Sequence, residues 1–295
     1  MKILVLGSQG QLGRCLEDQF INSYYEVIFA SRNEIDLGNT DQIYSNLSNI
    51  NPDVVINAAA YTFVDKAENE KEKAILINET AVANIASICK KINCWFVHIS
   101  TDYLFDGNSK RPYIESDKPN PQCVYGRSKL NGELGIIESN CKYIIIRTAW
   151  VYSEHGNNFL KTMLKLEQSK NEVSVVFDQF GTPTYAQDLA KAIIQTLKYL
   201  DSDKVQGIYN YAGSSVCSWA DFAKFIFEES HKVNDKKDIT RVINIKSSDY
   251  PTPVKRPSFS ALDNSFFEST FNFSGSDWKV GVKEVIKALH DIKNQ

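Results

Sequence analysis

Lys2–Leu6 is a short apolar run that ends directly on Gly7-Ser8-Gln9-Gly10-Gln11-Leu12-Gly13. A buried strand that stops on a glycine-rich turn and continues as a helix is the context a dinucleotide loop requires. Gly7 permits the tight turn, Gly10 lets the backbone approach a pyrophosphate, and Gly13 allows close packing of helix on strand. The free N–H groups where the helix opens, around Gln11 and Leu12, favour phosphate charge. The spacing is G-x-x-G-x-x-G rather than G-x-G-x-x-G, and a glycine-rich turn in isolation is often only a turn. Its place immediately after a strand favours the cofactor reading.

The rest of the first half repeats that alternation. Strands are expected at 26–30, 53–57, 95–99 and 143–147, and helices at 11–22, 40–47 (with Thr40 as cap) and 70–91. Tyr125 opens another helix after an irregular, proline-containing stretch at 108–122. Short, continuously apolar strands separated by helices indicate a parallel sheet buried on both faces. The expected fold is therefore α/β: a Rossmann-type doubly wound parallel sheet with a smaller C-terminal substrate-binding domain. Residues 1–150 form the dinucleotide-binding part, rejoined by 171–200, because 172–199 reads as another strand-helix unit of the main sheet. Residues 151–170 and 201–295 form the smaller domain, with helices at 158–169, from Trp219 to about Glu229, and at 280–292, and strands at 207–211 and 240–245.

Composition removes several functions. Thirty-three Lys+Arg against 36 Asp+Glu give a net charge of −3, which argues against a nucleic-acid binder. No apolar stretch is long enough to cross a membrane, and the N-terminal run is too short for a signal-peptide core. A cytoplasmic protein is expected, its six cysteines reduced and without a C-x-x-C pair. The four histidines show no paired ligand spacing, so no metal ligands are assigned.

Two further motifs carry chemistry. Ser31 and Arg32 end the second strand, where an acidic residue would bond the ribose 2′-OH of NAD and an arginine can pair with the 2′-phosphate of NADP. They lean toward NADPH, against the plain reading of Arg32 as a solvated surface residue. Asp36 and Leu37 follow and border the adenine. Tyr125 and Lys129 stand four apart on a helix, hence on one face. A lysine ammonium near a phenol lowers its pKa, so that the tyrosine can give a proton to a carbonyl as hydride arrives. The pair is weak alone; Thr101 and Asp102, at the end of the fourth strand, add a hydroxyl for the same carbonyl oxygen or a simple turn cap.

These motifs resemble the extended short-chain dehydrogenase/reductase superfamily. Within it, Asn57-Ala58-Ala59-Ala60-Tyr61-Thr62-Phe63-Val64-Asp65, Ser100-Thr101-Asp102-Tyr103-Leu104-Phe105-Asp106-Gly107, Arg147-Thr148-Ala149-Trp150, Gly156-Asn157-Asn158-Phe159 and Arg256-Pro257-Ser258 resemble the dTDP-4-dehydrorhamnose reductases. The resemblance implies NADPH-dependent reduction of the C4 ketone of dTDP-4-dehydro-6-deoxy-L-mannose to dTDP-L-rhamnose, a step of carbohydrate and O-antigen biosynthesis. NADH stays open as reductant. Tyr125 is then the proton donor, Lys129 its partner and Thr101 an aid at the carbonyl. Ala58, Ala59 and Ala60 border the cofactor with the residues above; Thr62, Val64, Thr101, Asp102, Trp150, Asn158 and Arg256 meet the dTDP-sugar, Asn158 and Arg256 at its diphosphate. The related nucleotide-sugar 4,6-dehydratases carry an acid directly after Thr-Asp, where this chain has Tyr103. Cys15 stands where such reductases often place a glutamate linked to a metal at a subunit contact. Mg2+ and a homodimer are therefore left open. So are two other readings: a reductase of another dTDP-4-keto-6-deoxy sugar, and a non-catalytic reductase-like binding subunit.

Other conspicuous residues have plain readings. His98 is a packed strand histidine, Trp219, Phe222, Phe225 and Ile226 are core at helical spacing, residues 68–73 are a solvated helix start, and the mixed-charge run 235–238 is surface.

Overall fold

Ile3 and Val5 face one side of the central sheet and Leu4 and Leu6 the other, and both sides are covered. That is why this strand reads as an unbroken apolar run. The computed structural model describes residues 1–234 and 239–293, so the run 235–238 lies outside the described residues. The strands β1 (Lys2–Leu6), β2 (Glu26–Ala30), β3 (Val54–Asn57), β4 (Trp95–Thr101) and β5 (Lys142–Thr148) join Gly207–Asn210 in one six-stranded sheet. Its order is Gly207–Asn210, β5, β4, β3, β1, β2, and every pair is parallel. The chain steps outward from β1 to β2 and then returns to the other side as β3. The crevice at the carboxyl ends of β1 and β3 is thus the switch point, where such sheets bind ligands.

One face of the sheet carries α1 (Gln11–Phe20), the helix Ala186–Leu197 and the short helix Ser265–Phe271. The other carries α2 (Thr40–Ile50) and the helix spanning 71–91. A separate core, built around Leu160, Val173, Phe222, Phe227, Trp278 and Val282, holds the remaining C-terminal elements together. Among the described residues no helix is long and apolar enough to cross a membrane.

Three expectations need correction. Glu172–Val176 does not rejoin the main sheet; it pairs in parallel with Arg241–Ile245 in a two-stranded sheet. Its burial alternates, with Val173 and Val175 inside and Glu172 and Ser174 outside, which suits one covered face and not two. The helix that follows, Ala186–Leu197, does pack on the main sheet, so the expected strand-helix unit divides. Conversely, residues 201–295 do not stay together, since Gly207–Asn210 supplies the sixth strand and Phe267 and Phe271 cover its neighbourhood. Asn39, not Thr40, caps α2, accepting the Gln42 N–H at 3.1 Å.

The expected helix 70–91 contains a wide turn of π type at Leu76–Thr80. It presents the buried Asn78, whose oxygen accepts the Tyr61 N–H at 2.9 Å. The Asn78 amide donates to the Tyr61 carbonyl at 3.0 Å and to Ser128 Oγ at 3.1 Å. Single π turns of this kind cluster at functional sites. This one ties the segment after β3 to the helix Val124–Ser139, which bears Tyr125 and Lys129.

That helix is also anchored to β5 by a buried ion pair: Arg147 Nη2 lies 2.7 Å and Nε 3.0 Å from the two oxygens of Glu133. Removing one partner strands a charge in the interior. Glu133→Ala is expected to cost about 3–5 kcal/mol, read as a lower midpoint in urea unfolding. Glu133→Leu combined with Arg147→Met should recover most of that loss.

Candidate active site

At the switch point, Gly7 has φ +80°, and a Cβ there would sit 2.8 Å from the Ala59 backbone nitrogen. Only glycine lets the turn after β1 lie against Ala58–Ala60, where the Ala58 N–H donates to the Leu6 carbonyl at 3.1 Å. Gly13 is required for a different reason than expected: a Cβ would overlap the Gly7 carbonyl and the Ser8 backbone. The third glycine seats α1 on its own turn. The helix opens at Gln11 with no side-chain cap, and a Cβ at Gly10 would meet only the Gly7 carbonyl, at 3.1 Å. Uncapped N–H groups beside an unobstructed backbone fit a pyrophosphate. Leu12 is buried beneath, and Gln11 donates to the Val151 carbonyl at 3.1 Å.

At the end of β2, Ser31 is buried and its N–H donates to Glu34 at 2.6 Å. Arg32 is exposed, with Nε 3.5 Å from Asp36 Oδ1. Exposed pairs of this kind hold weakly, so a phosphate can compete for the guanidinium. Asp36 also accepts the Gly38 N–H at 2.9 Å, and Leu37 is buried.

The helix bearing Tyr125 and Lys129 starts on two acceptors: Cys123 Sγ takes the Gly126 N–H at 3.4 Å and Glu68 Oε1 takes the Val124 N–H at 2.8 Å. Glu68 is therefore a helix cap and not merely part of a solvated start. Tyr125 is buried and bonds Thr101; burial pushes its phenol up, and the Thr101 hydrogen bond only partly opposes this. Thr101 Oγ1 in turn donates to Asp102 Oδ1 at 3.1 Å. Burial pushes the Asp102 carboxyl up to about 6, against hydrogen bonds from Ser260 and Thr101.

Lys129 is engaged where the sequence did not place it. Its Nζ lies 2.6 Å from the Ile99 carbonyl and 3.1 Å from His98 Nε2, and His98 Nδ1 lies 3.1 Å from Asn57 Nδ2. Burial, then the neighbouring Lys129, hold His98 well below its usual pKa, so it is neutral. Burial brings Lys129 down to about 8. His98 is packed, as expected, but it is packed on the lysine. The available signal was that Asn57 and His98, polar residues in apolar strands, are register partners in β3 and β4.

On the far side, the Tyr103 ring meets Tyr125 edge-on with centroids 5.5 Å apart. Arg256 Nη1 donates to Tyr103 Oη at 2.5 Å and Nη2 to Asp65 Oδ2 at 2.5 Å. Asp65 sits in a short helix, Val64–Ala67, that the sequence did not predict; Val64 packs into the cluster around Tyr61 and Tyr125, and Thr62 is exposed beside it. A cleft between Tyr103, Asp106, Gln122, Arg256 and Ser258 opens here. A larger hollow, between Leu164, Ser230 and Leu289, is remote from all these groups.

Trp150 follows β5 with φ +48°, a strained value for a residue with a Cβ. Its ring stacks on Trp219 at 3.4 Å, and a Cβ at Gly181 would overlap it. Trp219, read as core, is the plate that holds Trp150. Asn158 is committed elsewhere: its amide donates to Gln11 Oε1 and the Ser153 carbonyl, both at 2.7 Å, and its oxygen caps the helix Phe159–Glu167. None of these bonds involves Arg256, so the two residues expected at one diphosphate belong to different hydrogen-bond sets.

Residues 1–291 match the family model described as the RmlD substrate binding domain. The dTDP-4-dehydrorhamnose reductase of Aggregatibacter actinomycetemcomitans is 40% identical over 287 residues, covering 96% of this chain and 98% of the relative. The crystal structure of a dTDP-4-dehydrorhamnose reductase from Clostridium acetobutylicum superposes with a TM-score of 0.89 at 38% identity, over 98% of this chain and 99% of that one. That of the Bacillus anthracis dTDP-4-dehydrorhamnose reductase, in complex with NADP, gives 0.89 at 32% identity, over 97% and 99%. With the doubly wound sheet and its uncapped glycine turn, this likeness over nearly the whole length places the chain in the dTDP-4-dehydrorhamnose reductase family.

Proposed function

We propose that the chain is an NADPH-dependent oxidoreductase that reduces the C4 ketone of dTDP-4-dehydrorhamnose to give dTDP-L-rhamnose. The observation that carries this reading is the Thr101–Tyr125 pair and Lys129 gathered at the carboxyl end of β4, in a chain of this family. A bound nicotinamide cofactor supplies the hydride. Tyr125 gives its phenolic proton to the carbonyl oxygen as charge develops there, and the Thr101 hydroxyl, which rests on Asp102 Oδ1, turns to donate its hydrogen bond to the same oxygen. Lys129 keeps a positive charge near that phenol and takes the nicotinamide ribose. Gly7, Gly10, Gln11, Leu12 and Gly13 hold the pyrophosphate. Asp102, Val64, Thr62, Trp150 and Arg256 meet the substrate. The main sheet with its covering helices is the cofactor side of the cleft, and the core around Phe222 and Trp278 is the sugar-nucleotide side.

The Bacillus anthracis relative holds NADP, and Arg32 is the exposed cation at the end of β2. Arg32→Ala should therefore raise the KM for NADPH much more than that for NADH, measured by initial rates with each. The substrate reading is tested by calorimetry: dTDP should bind more tightly than UDP or GDP, and Trp150→Ala should weaken dTDP-sugar binding more than NADPH binding. Equal affinity for the three nucleotides would remove the dTDP assignment.

A further inference from the structure

The helix α1 and the turn after Tyr152 bring together three different donor groups. Cys15 Sγ, a Glu154 carboxylate oxygen and a His155 ring nitrogen all lie within 4.8 Å of one another. They come from two distant segments, so no ligand spacing in the sequence reveals them. Asp18, one turn along α1 from Cys15, adds a fourth: its Oδ2 is 3.3 Å from His155 Nε2, which is 3.7 Å from Glu154 Oε1.

Two observations separate this cluster from an ordinary acidic surface. First, the carboxylates are aimed. The Gln187 amide donates to Asp18 Oδ2 at 2.7 Å and to Glu154 Oε1 at 3.3 Å, and Gln187 is itself held by Gln19 at 2.8 Å. A neutral amide fixing two converging acids is the kind of outer partner that orients metal ligands. Second, the cation that would balance them is missing. The ion pairs of Asp18 and Glu154 among the described residues are with His155 alone, and Lys161 bonds the Glu154 backbone carbonyl, not its carboxylate.

The donor set also decides the metal. Mg2+ demands near-octahedral oxygen ligands, whereas one donor of this cluster is a thiol, fully buried at Cys15. The resemblance to reductases with a metal-linked glutamate at this point therefore does not carry Mg2+ to this chain. We propose that Cys15, Glu154 and His155, with Asp18 as the fourth donor, bind a borderline divalent transition metal of the Zn2+ type within a single chain. Sulfur, imidazole and carboxylate are the ligands a tetrahedral Zn2+ takes. On binding, the Cys15 S–H bond breaks, its proton leaves to solvent, and the sulfur lone pair forms the metal bond. The site joins α1 to the turn whose Asn158 holds Gln11, and so braces the glycine turn from behind.

The test is a titration of chelator-treated full-length protein with Co2+, then Zn2+, then Mg2+. One equivalent of Co2+ should give the near-ultraviolet thiolate-to-cobalt band and the visible bands of a tetrahedral ion. Zn2+ should displace it and Mg2+ should not. Cys15→Ala should abolish the thiolate band. His155→Ala should weaken binding by more than the roughly 10–100-fold that loss of a supporting partner costs, and Gln187→Leu by about that amount with the band retained. Should Cys15→Ala fail to fold, His155→Ala, at a partly exposed position, decides the same question. Absence of the band in the folded wild type, a band that survives Cys15→Ala, or displacement by Mg2+ would overturn the proposal.

Discussion

Tyr125→Phe is expected to lower kcat by roughly 10²–10⁴, the span typical of a positioned acid or base. The substitution keeps the ring, its burial and its edge-on contact with Tyr103, and deletes only the hydroxyl that bonds Thr101. NADPH affinity, read by fluorescence titration, should be unchanged, which separates loss of the proton donor from loss of the site. The buried phenol is held above its usual range, so in the free enzyme it keeps its proton throughout the working pH. Turnover near that of the wild type would move the proton donor to water or to Thr101.

Lys129→Met is expected to act on both parameters. On the proposed mechanism it removes the charge that stabilises the developing Tyr125 phenolate, so kcat should fall by at least roughly 10². It also removes the group proposed to hold the nicotinamide ribose, so NADPH affinity should fall with it. The pH profile gives the sign. Lys129 is brought down to about 8 by burial, so it is charged below that pH and loses its proton above it. Because kcat/KM reports groups of the free enzyme, the wild-type profile should decline above about pH 8. With the phenol held up by burial, that limb belongs to the lysine. In Lys129→Met the limb should vanish. A limb near 8 that persists in Lys129→Met would refute the assignment.

The parts of this site that the sequence displayed are local ones. A strand, a turn needing φ above zero at Gly7 and a helix opening at Gln11 follow one another within a dozen residues, and each leaves its own mark. Tyr125 and Lys129 share a helix face for the same reason. What stayed hidden depends on partners distant in the chain. His98 reads as core until β3 and β4 are in register and Asn57 comes beside it. Arg256 reads only as a diphosphate contact until Asp65 and Tyr103 are seen to take both ends of its guanidinium. Trp219 fits a helix stripe as well as any core residue, and only the tertiary fold turns it under Trp150. The π turn at Leu76–Thr80 leaves the apolar spacing of the helix almost intact, so periodicity could not reveal it. Glu172–Val176 misled because a short strand with three valines reads alike in either sheet, and the exposure of Glu172 and Ser174 becomes decisive only once its neighbour is known.

The most direct measurement is NADPH oxidation by the purified chain with dTDP-4-dehydrorhamnose and a panel of other dTDP-4-keto-6-deoxy sugars, each product identified by NMR. The expected result is stoichiometric loss of NADPH with dTDP-4-dehydrorhamnose, dTDP-L-rhamnose as product, and a collapse of that rate in Tyr125→Phe. Faster turnover of another sugar, the opposite epimer at C4, or tight binding of dTDP-sugars with no oxidation of NADPH would contradict it.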